Sequence, residues 1–526
     1  MNDFDSKAAG ITRRDMMRLI AGAGAFAVGA GFGALPGIAN AAPAPAPKRG
    51  GSIRVAYDSM STSDTLDPAH GSTGSDYIRF FMFYSGLTQL DLNLTPKMNL
   101  AESIDSQDGV VWVIKLRKDV TFHNGAPLTP TDVAYSLMRH KDAAIASKVK
   151  ALADQFKDAK ATGPNELTLT LTSANADLPT ILATPQLVII KAGTTDFTSA
   201  NGTGPYRVKT FKPGVSTVGS RNPNYFKAGL PYLDQVEVIG ISDDNARVNA
   251  LLAGDVHLID NVDPRTTKRI GAAGGYTVME TKSGEYTDLV MRADNPMSGN
   301  ADFVLGMKYL LDREQVKARV FGGYATIGND QPIPPFHRYF NASLPQRPYD
   351  PDKAKFFLSK AGAIASPPPP VFAAPTATGS VEMAMLLQQS ALKIGMSLAV
   401  NRVPSDGYWS QHWMKHPLGF GNIGPRSSAD ALFTQFFRSD AAWNESGWKN
   451  AQFDQLLVAA RSETDEVKRK ALYGDMQEIV SDKGGIGIPA FMSLLDAYDN
   501  RLHGLESIPT GPMMGYSFAE STWWSA

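Results

Sequence analysis

Apolar and polar residues alternate along Ser52-Ile53-Arg54-Val55-Ala56-Tyr57, a period-two pattern that predicts a half-buried strand, and the turn-rich stretch from Asp58 to Pro68 ends it. Residues 110–117 read as a second strand, and weaker strand signals fall at 166–172, 187–191, 206–211 and 236–241. Thr129-Pro130-Thr131-Asp132 supplies an N-cap, a first-turn proline and a carboxylate three residues on, so a helix is expected over 133–138. Further helices are expected at 246–253, 302–319, 351–361 and 381–394. Phe453, Leu456, Leu457 and Ala460 share one helical face, and Leu472, Tyr473, Met476 and Ile479 share another. Four prolines at 367–370 require an extended connection. Strands and helices at irregular spacing predict an α/β fold rather than a sandwich or a bundle.

The N-terminus changes the picture, because Thr12-Arg13-Arg14-Asp15-Met16-Met17-Arg18 is a paired-arginine segment ahead of a Gly/Ala-rich stretch and the small-residue site Ala39-Asn40-Ala41. Residues 1–41 are expected to be a twin-arginine signal peptide, which implies the Tat export machinery as a partner and the periplasm as destination. The apolar stretch falls short of the ~20 strongly apolar residues of a membrane span. Residues 42–51 (APAPAPKRGG) read as a flexible leader. The chain of 526 residues is too long for one hydrophobic core, so two or three domains are expected.

Charge and chemistry narrow the function. With 51 basic and 52 acidic residues the chain has no basic surplus for nucleic acid or an anionic membrane. It has no cysteine, which excludes disulfides, thiolate metal sites and a cysteine nucleophile. The Gly-x-Ser-x-Gly, His-Glu-x-x-His and Walker-type signatures are absent, so no enzymatic function and no cofactor are expected; an exported hydrolase with an unrecognised acid/base pair is the alternative. His412 and His416 have metal-ligand spacing but no third ligand nearby, and no metal is expected. Tyr408 and Trp409 fit a ligand platform as well as a core, whereas Trp413, Trp443 and Trp448 read as core. Gly202-Thr203-Gly204-Pro205-Tyr206 reads as a turn between strands.

The order of short motifs resembles the dipeptide- and oligopeptide-binding family of ABC-importer solute-binding proteins, extracellular family 5. The matching pieces include Leu66-Asp67-Pro68, Tyr84-Ser85-Gly86-Leu87, the segment from Leu116 to Gly125, Gly202 to Tyr206, Asn222-Pro223-Asn224-Tyr225-Phe226, Tyr349-Asp350-Pro351 and Asn450 to Asp454. The resemblance implies a two-lobed periplasmic-binding-protein-like clamp with an inserted subdomain. The first lobe would comprise 52–90, 199–285 and 490–526, with 91–198 inserted, and the second lobe 286–489. It also implies capture of a small solute by lobe closure, delivery to ABC importer permease subunits, and action as a monomer. A sensor or chaperone using the same clamp is a further alternative.

Peptide binders of the family resemble Gly-Trp-x-x-Asp-x-x-Asp-Pro where this chain has Gly421-Asn422-Ile423-Gly424-Pro425-Arg426-Ser427-Ser428-Ala429-Asp430. The carboxylate expected to pair with a peptide ammonium is replaced by Pro425 and Arg426. Arg426 is therefore expected to bind an anionic group of the solute, with Asn422 beside it; pairing of Arg426 with Asp430 is the competing expectation. Asp430 itself is expected to order the loop. Asp58 and Ser59, at the end of the first strand, and Tyr408 and Trp409 complete the expected ligand-binding set. His123 reads as structural.

Overall fold

The period-two segment forms β1 (Ser52–Tyr57), with Ile53 and Val55 buried on one face. The computed structural model describes residues 46–405 and 407–525, and the signal peptide expected at 1–41 lies outside them. Strands β2 (Ala101–Asp105), β3 (Val111–Leu116), β4 (Phe156–Gly163) and β5 (Glu166–Leu171) make a separate antiparallel sheet in the order β2-β3-β5-β4. The capping box at Thr129 forms as expected and starts the helix Pro130–Met138, which packs on β4.

The main sheet adds β6 (Tyr206–Lys212), β7 (Ser216–Arg221), β8 (Gln235–Gly240), β9 (Leu258–Ile259), β10 (Tyr276–Met291), β11 (Val371–Ala373), β12 (Val400–Arg402), β13 (Leu418–Ile423) and β14 (Ala490–Asp499). Its order is β12-β11-β13-β10-β14-β9-β1-β8-β7-β6. The two longest strands, β10 and β14, run antiparallel through its middle. Their register shifts between Lys282 and Glu285, and beyond that bulge β10 takes β13 as a second neighbour, from Tyr286↔Ile423 to Met291↔Leu418. A bulge of this kind bends the strand and re-aims the side chains beside it.

Apolar residues gather on either side of this crossing. One set of cores is built from residues 53–278 with 495–519, including Ile53, Val55, Phe80, Tyr206 and Phe518. The other set is built from residues 286–492, including Leu289, Phe303, Leu387, Phe433 and Tyr473. The molecule is thus an α/β protein of two lobes bridged by β10 and β14.

Two local expectations fail for tertiary reasons. The helix expected over 302–319 stops at Leu310. Lys308 is buried there and donates from Nζ to the Ser481 carbonyl at 2.8 Å, while Arg313 turns inward to pair with Asp330, so the chain continues as the short helix Arg313–Gln315 and a π-helical turn, Val316–Val320. The strand expected at 187–191 is instead the 3-10 turn Pro185–Leu187 followed by extended chain. Its amides are satisfied one at a time, Ile189 by the Ser85 carbonyl and Ile190 by the Ser136 hydroxyl, rather than by a ladder.

The glycines of the 202–206 turn meet a close approach. Gly202 and Gly204 lie against the backbone of Phe83 and Tyr84 at the end of the helix Gly74–Phe83, where a Cβ at either position would collide. His123 Nε2 donates to the Gly204 carbonyl of the same turn at 3.1 Å, a structural role.

Candidate functional site

A cleft of about 980 Å³ opens between the two sets of cores. Tyr77, Gln186 and Tyr516 line it from one lobe, and Arg426, Ser427 and Gln435 from the other. The sequence places these groups by different means. Tyr77 rides on the helix Gly74–Phe83, begun by the Thr73–Asp76 capping box. Tyr516 ends the short turn Pro512–Gly515 with a left-handed φ of 72°. Arg426 follows β13 and precedes the helix Ala429–Phe436, which Ser428 caps.

Arg426 is the distinctive group. Its Nη1 donates to the carbonyls of Gly424 and Pro425 at 3.1 Å, its Nε donates to Gln435 Oε1 at 3.2 Å, and its guanidinium lies 5.4 Å from the Phe436 ring centre. No carboxylate among the described residues lies within ion-pair distance of it. The other lysine or arginine on the cleft wall, Lys97, is paired with Asp91 at 3.1 Å. Burial pulls the Arg426 pKa down from its usual value, the mark of a cation short of solvation. The competing expectation for this residue fails on geometry, because Asp430 pairs with Arg461 Nε at 2.9 Å and is buried within its own lobe.

On the opposite wall Tyr77 and Tyr516 meet edge to face, with ring centres 5.4 Å apart, and Gln186 donates to the Tyr77 hydroxyl at 3.0 Å. Burial raises the pKa of both phenols, so they face a solute as neutral donors and acceptors.

The structure brings only part of the expected set together. Asn422 stands on β13 and donates to Thr287 Oγ1 at 3.0 Å across the β10–β13 pair, off the cleft wall. Asp58 accepts from Asn261 Nδ2 at 2.8 Å and gives its own amide to Asp260; Ser59 next to it is exposed. Neither lines the cleft. Tyr408 is buried in the second lobe's core, where its hydroxyl donates to the Phe420 carbonyl at 2.7 Å. Trp409 packs edge-on against Tyr408 and Trp413 and is exposed away from the cleft. The aromatic run reads as a platform in sequence because Tyr and Trp serve both purposes; here the strand β13 covers it. His412 and His416 contact each other at 3.0 Å and stack on Phe372. Tyr77, Gln186, Gln435 and Tyr516, by contrast, come from segments in which no local pattern marks a site.

Two lobes joined by two long strands around an open cleft, with polar groups converging on it from both walls, have the build of a solute-binding clamp. The sequence profile of the bacterial extracellular solute-binding proteins, family 5 (middle region), matches residues 95–445, and the chain belongs to that family. It is similar to the glutathione-binding protein GsiB of Escherichia coli K12, 24% identical over 476 residues that cover 87% of this chain and 92% of that protein. Its fold is similar to that of the ABC-transporter-associated DppA of Helicobacter pylori in complex with the peptide STSA (TM-score 0.74, 21% identity, 91% of this chain and 99% of that one). It is also similar to that of AgaA of A. tumefaciens R10 in complex with agropinic acid (TM-score 0.72, 21% identity, 90% and 99%). The protein is the solute-binding component of an ABC importer, working outside the cytoplasm with the importer's permeases, and not an enzyme.

Proposed function

We propose that the protein captures a small carboxylate-bearing solute, whether a peptide, an opine-like amino-acid conjugate or a related acid, and that Arg426 holds the carboxylate. The observation that carries this reading is a mostly buried guanidinium on the cleft wall with no acid beside it. A buried cation without a counter-charge is costly, and Arg offers a planar fork that matches a carboxylate. The names of similar proteins point the same way: one is called glutathione-binding, another is bound to agropinic acid. Asn422, whose amide sits one strand position from Tyr286, would steady the floor of the site.

The lobes divide in this reading at about residues 285 and 490, with 91–198 as the inserted subdomain, and closure about β10 and β14 brings Arg426 over the solute. The protein acts as a monomer. Export runs through the twin-arginine pathway, which replacing Arg13 and Arg14 with lysine would block, leaving the precursor in the cytoplasm.

The central test is thermal melting of the wild type and Arg426→Ala against a panel of free acids and the matching amides. A ligand at about 100 times its Kd stabilises by about 2.7 kcal/mol. Free acids are expected to raise the melting temperature of the wild type and to lose that effect with Arg426→Ala. Equal response of the two proteins to the best acid would end this reading.

A further inference from the structure

The guanidinium of Arg426 reaches the cleft with most of its hydrogen bonds already made. Arginine carries five N–H donors and no acceptor. Nη1 gives both of its donors to the Gly424 and Pro425 carbonyls at 3.1 Å, and Nε gives its single one to Gln435 Oε1 at 3.2 Å. Nη2 has no partner among the described residues. A single guanidinium grips a carboxylate through adjacent nitrogens, either Nε with Nη2 or Nη1 with Nη2. Gln435 occupies the first of these edges and the loop carbonyls occupy the second. One oxygen of a carboxylate can therefore reach Nη2, and the other needs a donor from a different residue.

Gln435 carries that donor. Because arginine only donates, the side-chain oxygen of Gln435 is the atom that faces it, and the amide nitrogen on the same carbon keeps two donors without a partner among the described residues. Gln435 lines the cleft and is partly exposed. Its helix, Ala429–Phe436, is fixed on both sides of it. Thr434 Oγ1 accepts from Arg461 Nη2 at 2.7 Å, and Phe436 is buried with its ring centre 5.4 Å from the Arg426 guanidinium. Leu432 and Phe433 anchor the same helix in a core of the second lobe. Groups on an element held in this way position a ligand more precisely than groups on a loop.

The residue type at 435 matters because glutamate has the same shape. A glutamate would set a carboxylate against Arg426, neutralise the cation within its own lobe and remove the amide donors. Elsewhere on the cleft wall the acids are paired in that manner, Asp91 with Lys97 at 3.1 Å and Glu520 with Lys227 at 2.8 Å, while Glu506 is exposed. Glutamine at 435 holds the arginine without neutralising it.

We infer that Gln435 is a second anion-binding residue of the cleft and sets its preference for acids, a carboxylate of the solute being gripped between Arg426 Nη2 and Gln435 Nε2. This inference rests on the proposed reading of Arg426 as the partner of the solute's carboxylate and specifies how that group is held. Two donors side by side match the two acceptor oxygens of a carboxylate. A primary amide offers one acceptor and one donor, so its nitrogen would face a donor of the pair. With Gln435→Glu the pair becomes one donor and one acceptor, which is the complement of an amide.

The test uses the protein as exported, as wild type, Gln435→Glu, Gln435→Met and Arg426→Ala. Dialanine and glutathione are titrated as free acids and as C-terminal amides, with affinity read by calorimetry and the ligand-free proteins melted alongside. The wild type is expected to favour acids over amides by about tenfold or more, the cost of leaving one donor of the pair unmatched. Gln435→Glu is expected to reverse that preference, with a ligand-free melting temperature equal to or above that of the wild type, because the cation gains a counter-charge. Gln435→Met keeps the length of the side chain without its polar atoms; it is expected to weaken acids by about tenfold and amides by less, and it serves if Gln435→Glu does not fold. Acid preference intact in both Gln435 variants and lost in Arg426→Ala would overturn the role of Gln435 and leave the Arg426 reading standing. Acids and amides weakened alike, with a lower melting temperature, would make Gln435 a structural brace and overturn the inference in the same way. Acid preference retained by Arg426→Ala, or absent from the wild type, would overturn both.

Discussion

The carboxylate of Asp177 accepts a hydrogen bond from the Ser428 hydroxyl at 2.7 Å, joining residues 251 apart in sequence and on opposite lobes. Asp177 belongs beside the core of the small antiparallel sheet, and Ser428 caps the helix that follows Arg426. Arg338 at 3.2 Å and Arg469 at 3.3 Å reach the same carboxylate from the second lobe, and the Ala176 amide donates to the Arg461 carbonyl at 2.9 Å. One buried acid thus holds the lobes together at the cleft mouth, with its charge balanced by two arginines.

Asp177→Asn should keep the shape of this contact and lose its charge. Removing one partner of a buried ion pair costs about 3–5 kcal/mol, because the remaining charge stays desolvated. Here the lobes have an escape, since opening rehydrates both arginines. The expected outcome is a larger radius of gyration by small-angle X-ray scattering and weaker solute binding, with little loss of secondary structure. An unchanged radius of gyration and unchanged affinity would show that this contact does not hold the clamp.

Asp330 gives a prediction about stability instead of closure, because all its partners lie in one lobe. It is fully buried with a left-handed φ of 55°, pairs with Arg313 at 2.6 Å and Arg347 at 2.9 Å, and accepts from the Ile488 amide at 3.1 Å just ahead of β14. Asn tolerates the same backbone conformation, so Asp330→Asn isolates the charge. A loss of about 3 kcal/mol is expected, visible as a lower urea midpoint at constant m-value.

Local chemistry in the chain made some of this legible and hid the rest. β1 and the Thr129 capping box are read correctly because alternation and caps are local signals. The two central strands escape the same reading. Tyr276–Met291 is partly exposed at its start, is interrupted by Ser283 and Gly284 at the bulge, and is wholly buried at its end, so it has no single period. Arg426 stands out because a charge of the wrong sign replaces an expected one. Tyr77, Gln186 and Tyr516 carry no such mark, since the cleft gathers them from segments far apart in the chain. Tyr408 misleads for the opposite reason: its neighbours look like a platform, but its hydroxyl is already bonded to the strand above it.

Two glycines should respond to alanine with opposite signs. A Cβ on Gly204 would lie 2.5–2.6 Å from backbone atoms of Phe83, Met82 and Tyr84, which cannot yield without moving a helix end. Gly204→Ala is expected to cost about 1–3 kcal/mol by overpacking. Gly271 lies inside the helix Thr267–Ala273 with open space around it, so Gly271→Ala is expected to stabilise by about 0.5–1 kcal/mol. Denaturant midpoints of the two variants measure both effects.

Asp288 and Glu445 are buried side by side against Gly421, and the Glu445 carboxyl raises the demand for a proton on Asp288. Trp413 Nε1 donates to Glu445 Oε1 at 2.5 Å, while neither oxygen of Asp288 finds a donor among the described residues, so a proton shared with Glu445 is the group that satisfies it. Burial pushes the Glu445 pKa up to about 7, and burial and then Glu445 push Asp288 well above its usual value. A pKa raised in the folded state means that stability is fully present below the unfolded value of about 4.3 and is lost as pH rises through about 7, at up to roughly 1.4 kcal/mol per pH unit for one site. His140 and His337, held down to about 4 by burial, act in the opposite direction between about pH 4 and 6.5, so the total profile conceals the pair. The difference between wild type and Glu445→Gln does not. Unfolding free energies at pH 5 and pH 8 should show Gln removing much of the loss on going to pH 8, and equal pH dependence of the two proteins would mean that the pair holds no proton.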